Sequence, residues 1–395
     1  MAPLHIIERL AIPEGRLPGS DGDRRATDML AAELESMGRH VEVEEIRVRP
    51  AWHLTFAMLA ALAAAGTVLS AIAAPAGAVL LLITAAAMYG DLGAGFHSFR
   101  LFTPRRTTRN VTSAERHEAP AARVILTAHH DTGRTGLLYA MPWPRLRRRR
   151  RRQRATLTSP LHFLFWSVMV ALVAAIGALA VEESGPLTGL QFALSSIFLT
   201  YVVLLLDVAA AAPSPGASDN ASGVAAVLDV SRRLAAEPPP LVATQVVFSA
   251  AGDVGALGLR AWLQEHGGLL RGVPTYFVNV KGVGNGRVCH MVGEGYATLV
   301  RGDQRLARLA ERAGSEHHTW RIGTDASAAA SQGHSAITIT CLDDRGRIQH
   351  SHRPSDVCEN VDPAAVERAT DAVERLVRLI NEAVTAERRP RTAAH

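Results

Sequence analysis

The chain has 395 residues, enough for more than one domain, and 48% of them are hydrophobic. Its formal net charge of +5 comes largely from one run, Arg145–Arg154, with no interleaved aromatic residue on which a base could stack. That distribution excludes nucleic acid as the expected partner and points to an anionic membrane face. Cys289, Cys341 and Cys358 are an odd set without metal-type spacing, and read as reduced thiols of a cytosolic compartment.

The first 50 residues read as soluble, with a polar start rather than a signal peptide. Gly15-Arg-Leu-Pro-Gly-Ser20 is a turn, Asp21 to Met37 a surface helix, and Val41 to Val48 an alternating strand. No Asp, Glu, Lys or Arg then occurs from Leu54 to Gly90. This stretch is too long for one membrane span of about 20 residues and suits two. Ala74-Pro75-Ala76-Gly77 is the expected turn between them. Leu161 to Val181 and Leu187 to Leu206 form a second pair, joined by Glu182-Glu183-Ser-Gly-Pro186. Arg47, Arg49, Arg100, Arg105, Arg106, Arg109 and the basic run flank the pairs, whereas neither turn holds a Lys or Arg. Both turns are therefore expected outside, and the soluble parts and both termini in the cytoplasm, of a multi-pass cell (inner) membrane protein in contact with the lipid bilayer.

Between and after the apolar pairs the pattern is α/β. Arg123–Ala128, Thr244–Ser249, Pro274–Asn279 and Ala336–Cys341 read as buried strands, with helices at Val224–Leu234, Leu257–Gln264, Gln304–Ala313 and Pro363–Ala386. The expected fold is a mostly parallel sheet flanked by helices on both faces, carrying two inserted transmembrane hairpins. Functional groups in such sheets gather at the carboxyl ends of strands. His129-His130-Asp131, Gly252-Asp253 and Lys281 fall there, and so does the group His350, His352 and Asp356 beyond Asp343-Asp344. Asp219 stands just ahead of a helix, where it or Ser222 could simply be a cap. Imidazole and carboxylate groups converging from several loops are what a zinc site requires.

In this ordered set the chain resembles the zinc aminopeptidase and glutamate carboxypeptidase family, metallopeptidase family 28. The matching segments are Gly15-Arg-Leu-Pro-Gly19, Asn110-Val111, Ala128-His129-His130-Asp131, Asp219-Asn220-Ala-Ser222-Gly223, Asn279-Val-Lys281-Gly-Val-Gly284 and His352-Arg-Pro-Ser-Asp356. The resemblance divides the chain into peptidase-like pieces at 1–50, 98–140 and 213–388, hairpins within 51–97 and 141–212 (the latter with the basic run), and a tail at 389–395. It implies two zinc ions, with His129 on the first, Asp219 bridging, His352 on the second, and Asp131 orienting His129.

Three departures alter that expectation. Gly252 stands at the family's general-base position and cannot take a proton, a loss typically of about 100- to 10,000-fold. Asp253 keeps a carboxylate at the second-metal position, shorter than the usual Glu. Lys281 replaces the remaining first-site Asp, where an ammonium cannot coordinate zinc and would stand as a built-in cation beside Asp219 and His129. Asp219, Asp253 and His352 leave room for one zinc, not two. The expected function is that of a membrane protein with an impaired, cytoplasmic zinc-aminopeptidase-like domain that binds a peptide, an amino-group ligand or a protein. The rival readings are an active single-zinc aminopeptidase and a membrane scaffold with a regulatory soluble domain.

Overall fold

The computed structural model describes residues 3–114, 117, 119–141, 145–146, 156–157, 159–180 and 185–388. Most of the basic run, residues 181–184 of the second turn and the tail lie outside the described residues. The chain opens with α1 (Pro3–Leu10), α2 (Asp21–Ser36) and β1 (His40–Val48), followed by α3 (Trp52–Ile72) and α4 (Ala74–Tyr89). Next come β2 (Arg106–Ala114), β3 (Ala122–His129), the one-turn α5 (Leu137–Ala140) and a small ribbon of β4 (Arg145–Leu146) with β5 (Thr156–Leu157). After α6 (Pro160–Gly177) and α7 (Gly185–Ala210) the chain alternates: α8 (Ser222–Ala236), β6 (Val242–Ser249), α9 (Leu257–His266), β7 (Thr275–Val280), β8 (Arg287–Glu294) and β9 (Val300–Arg301). It ends with α10 (Gln304–Arg312), β10 (Glu316–Trp320), α11 (Asp325–Ser331), β11 (Ser335–Leu342) and α12 (Pro363–Arg388).

The main sheet has the order β1-β2-β6-β3-β7-β11-β8-β10, with β9 beside β8. Its centre, β6, β3, β7 and β11, is parallel, whereas β1, β2 and β8 join antiparallel. The sheet is thus mixed rather than mostly parallel. Near-continuous apolar runs mark only strands buried on both faces; β2 (RTTRNVTSA) and β8 (RVCHMVGE) carry too many polar residues to give that signal. Val224, Val227 and Leu228 of α8 pack with Val373 and Leu376 of α12 on one face. Leu259 and Trp262 of α9 and Ala329 of α11 cover Ile125, Val247 and Phe277 on the other.

Helices α3, α4, α6 and α7 form a separate bundle around Phe56, Leu59, Leu164, Val168, Phe198 and Leu205. Among the described residues these four are long and apolar enough to cross a membrane. Their outward side chains are apolar too: Ile72, Val79, Leu82, Val173, Phe192 and Val203 are all exposed. The first bend falls at Ala73, and the expected turn residues Ala74–Gly77 lie inside α4, because Pro75 is tolerated in a first helical turn. The bundle is pinned to the sheet domain by Arg100, whose guanidinium makes two 2.8 Å bonds to Asp91 and one of 3.1 Å to the Val254 carbonyl.

Candidate active site

The carboxyl ends of β3, β6, β7 and β11 converge on the turn 217–221. That turn is shaped by protein groups on every side. The buried Arg16 guanidinium donates to the carbonyls of His130 (2.7 Å), Pro215 (3.0 Å), Gly216 (3.1 Å) and Leu10. Burial lowers its pKa to about 10, against the pull of Asp131 and Asp356. Gly216 takes φ +71°, a left-handed conformation that favours glycine, and Thr132 Cγ2 would stand 2.2 Å from any Cβ there. Asp356 accepts the Ser218 and Asp219 N–H groups at 2.6 and 3.2 Å. Asn220 follows through a cis peptide and donates to the His129 and Val280 carbonyls at 3.0 and 3.2 Å. Neither Arg16 nor Asp356 reaches the cluster; both set where Asp219 points.

Lys281, at the end of β7, enters the cluster from below. Its Nζ lies 3.1 Å from Asp219 Oδ1 and 2.7 Å from His129 Nε2. On its other side, His129 Nδ1 is 3.3 Å from Asp131 Oδ1, which also accepts the Gly252 N–H at 2.7 Å. Burial opposes the charge on Asp219, but Lys281 and His129 hold that carboxyl far below its usual range, and Asp219 and Asp253 raise Lys281 in turn. Burial and Lys281 oppose a charge on His129, and Asp131 and Asp219 pull the other way. At 2.7 Å only one proton fits between Nζ and Nε2, and that contact decides the matter: Lys281 donates and the imidazole accepts. The place between His129 and Asp219 is therefore taken by an ammonium, and the residues there do not fit a metal ion.

The second cluster lies beside it. His352 Nε2 is 3.2 Å from Asp253 Oδ1 and 3.9 Å from Asp219 Oδ2, while its Nδ1 faces the Arg134 carbonyl at 3.1 Å. Burial works against both charges, yet the pair holds Asp253 at about 2 and raises His352. These spacings are near the roughly 3.3 Å edge of a tetrahedron with 2.0–2.1 Å bonds, so the donor set suits zinc in kind. Among the described residues, however, no group of three His, Cys, Asp or Glu is gathered as a metal cluster. The carboxylates have other partners: Ser351 Oγ donates to Asp219 Oδ2 at 2.6 Å, and the Trp52 indole donates to Asp253 Oδ2 at 3.0 Å.

Two residues that the sequence did not single out thus enter the site from the bundle side. Trp52 is the first residue of α3, where an aromatic reads as an interfacial anchor. Tyr139, in α5, stacks flat on His352 with ring centroids 4.1 Å apart. A further pair, Asp325 and Glu294, is buried beneath Lys281; burial raises both, Glu294 to about 7. Ser249 Oγ donates to Asp325 at 2.6 Å and Thr324 Oγ1 to Glu294 at 2.5 Å. Of the other expected groups, His130 turns away to Asp23 (3.1 Å), His350 bonds Ser355 (2.9 Å), and Asp343 accepts the Arg345 and Arg347 N–H groups of its own loop. Gly252 is packed shut: a Cβ there would lie 2.3 Å from His129 Cβ. Cys289, Cys341 and Cys358 are free thiols.

Residues 202–377 match the sequence profile of peptidase family M28. This match, with the fold, supports the M28 zinc aminopeptidase-like family. Among curated proteins nothing matches the chain. Several solved structures do resemble it. A Zn-dependent exopeptidase from Parabacteroides distasonis is 15% identical, with 95% of this chain and 97% of that one covered and a TM-score of 0.53. Porphyromonas gingivalis glutaminyl cyclase is 15% identical over 95% and 96%, with a TM-score of 0.55. LapB from Legionella pneumophila is 11% identical over 96% and 71%, with a TM-score of 0.52. At these identities the likeness speaks for the fold alone. The M28 match and the Zn-dependent neighbour nonetheless suggest zinc as the cofactor class.

Proposed function

We propose that this is a four-span membrane protein whose cytoplasmic M28 domain binds a peptide, amino-group or protein ligand and has lost ordinary peptidase turnover. The observation that carries this reading is Lys281, whose ammonium lies 2.7 Å from His129 and 3.1 Å from Asp219, where the family resemblance expects a metal ion. The closed packing of Gly252 against His129 supports it, since no carboxylate can stand at the family's base position. The membrane part is supported by four helices of spanning length with outward apolar side chains, and by arginines kept to one end of the hairpins.

A second reading, a single-zinc hydrolase, is favoured by the spacing of His352 from Asp253 and Asp219. Those three would hold the ion, which when bound supplies a more acidic water and a polarised carbonyl. The chain's own part would be to orient Asp253 through Trp52 and His352 through the Arg134 carbonyl and Tyr139. Metal analysis of the purified protein, together with an aminoacyl-anilide assay, tests both. The expected result is at most one zinc per chain and no turnover near the roughly 1 per second of an ordinary enzyme. Two zincs, or turnover at that rate, would overturn the binding reading.

A further inference from the structure

A cavity of about 510 Å3 lies beside the candidate active site, where the turn at Leu17–Ser20 meets the start of α3 and the end of α7. In the proposed topology this is the cytoplasmic end of the bundle. Much of its wall is apolar, with Leu17, Pro50, Leu54, Val208 and Ala209. Two arginines also line it, Arg106 at the start of β2 and Arg134 beyond β3. Arg134 is fixed by one side-chain hydrogen bond, from Nη1 to the Ala211 carbonyl at 2.6 Å, just past α7. Its own carbonyl faces His352 Nδ1 at 3.1 Å, so the cavity shares a wall with the site.

Neither arginine has a carboxylate partner among the described residues. Burial and Arg106 both lower the pKa of Arg134, and no carboxylate pulls it back. The two acids that border the cavity are already engaged. Asp253 accepts from the Trp52 indole at 3.0 Å on one oxygen and faces His352 at 3.2 Å on the other. Asp131 is fully buried: its Oδ1 takes the Gly252 N–H at 2.7 Å, and its Oδ2 is shut away from the cavity space. A guanidinium that is held in place without a counter-ion suits a phosphate, which it can grip with two N–H groups. The apolar wall continues outwards. Leu101 and Phe102, just ahead of the lining residue Pro104, are 63% and 75% exposed. Apolar side chains of that size beside arginines belong at a bilayer surface, where acyl chain and phosphate lie together.

We propose that this cavity holds the phosphate of an anionic glycerophospholipid of the cytoplasmic leaflet, with Arg106 and Arg134 as its donors and an acyl chain along Leu54 and Ala209. This site rests on the membrane part of the reading above, and its arginines belong to neither cluster of the candidate active site. A soluble anion would leave the apolar wall uncovered. A phosphatidylcholine head would bring its own ammonium towards two unpaired arginines.

The test uses the full chain in a neutral detergent, titrated with dioleoylphosphatidylglycerol or dioleoylphosphatidylcholine, with bound lipids counted by native mass spectrometry. One cationic side chain at a membrane surface is worth about fivefold in affinity, so two should favour phosphatidylglycerol by about tenfold or more. That binding should saturate at one lipid per chain. Arg106→Ala and Arg134→Gln should each weaken it about fivefold, and Arg106→Lys should keep most of it. Arg134→Gln also disturbs the Ala211 contact. Arg106→Ala breaks no ion pair among the described residues and decides the matter if the other variant fails to fold. Arg105→Ala, at an exposed neighbour outside the cavity, should change nothing. sn-Glycerol 3-phosphate is the soluble probe and should not displace the lipid at equal concentration. Equal binding of the two lipids, displacement by glycerol 3-phosphate, wild-type affinity in Arg106→Ala, or an equal loss in Arg105→Ala would each overturn the proposal. Recovery of the chain in the soluble fraction of cells lysed without detergent would overturn the membrane reading itself. A detergent-extracted chain that does not distinguish the two lipids overturns only the headgroup site.

Discussion

Replacing Lys281 asks most directly what holds the site together. Its ammonium is 3.1 Å from Asp219 Oδ1, and both side chains are buried. At an effective dielectric constant near 20, two unit charges at that distance attract by roughly 5 kcal/mol, before desolvation is subtracted. Removing one partner of such a pair leaves the other uncompensated, at about 3–5 kcal/mol in comparable cases. Here the loss is smaller, because Asp219 keeps its 2.6 Å bond from Ser351 and its neighbour His129 at 3.4 Å. Lys281→Met is therefore expected to cost about 2–4 kcal/mol, a fall of roughly 5–10 °C in melting temperature for a domain of this size. Lys281→Asp should be equally destabilised in chelator but rescued by zinc, by about 2.7 kcal/mol at a hundredfold excess over its Kd. Thermal melts of the three proteins, with chelator and with zinc, read all of this in one series. A Lys281→Met protein that melts with the wild type, or a Lys281→Asp protein that binds no more zinc than the wild type, would refute the view that the ammonium stands in for an ion.

Three more outcomes are expected. Gly252→Ala should lose about 1–3 kcal/mol, because its Cβ would stand 2.3 Å from His129 Cβ, and Gly252→Glu should restore no base for the same reason; wild-type melting of Gly252→Ala would contradict this. Burial raises Glu294 to about 7, so the folded state holds a proton that the unfolded chain releases near 4.5. Stability should thus be highest below pH 4.5 as far as this group is concerned, fall as pH rises towards 7, and level off above; Glu294→Gln should flatten that slope, by up to about 3 kcal/mol, and an unchanged slope would show the carboxyl to be charged in the fold. Finally, a reporter fused after Glu183 should behave as external and one at the C-terminus as cytoplasmic, whereas an external C-terminus would reverse the proposed topology.

The parts of the site that the sequence discloses are those tied to strand ends. His129, Asp253 and Lys281 each follow a run of apolar residues that can only be a buried strand, so their nearness could be read from order alone. Asp219 required the Asp-Asn-x-Ser-Gly pattern, and the reason for its Asn is plain only in three dimensions: it ties β3, β7 and the loop after β7 together. Trp52 and Tyr139 were illegible because Trp52 lies 201 residues in sequence from Asp253, and Tyr139 is as remote from His352, the ring it stacks on. Glu294 and Asp325 were hidden for another reason. Acidic residues normally signal exposure, and nothing local tells that these two lie under Lys281. The antiparallel β2 and β8 escaped because polar side chains break the apolar run that marks the central strands.

Arg16 gives this site an unusual independence. In small metal-nucleated domains the ion organises its own ligands, and the chain loses its shape when the ion leaves. Here one guanidinium grips carbonyls at His130, Pro215 and Gly216, and the Asp356 carboxylate grips the Ser218 and Asp219 amides. The loop bearing Asp219 is cast by the polypeptide itself. A lineage with such a scaffold could exchange a carboxylate for Lys281, or erase the side chain at 252, while its folding was left unharmed. The architecture would thus outlast the chemistry, leaving a ready-made basin of charge for selection to put to other uses.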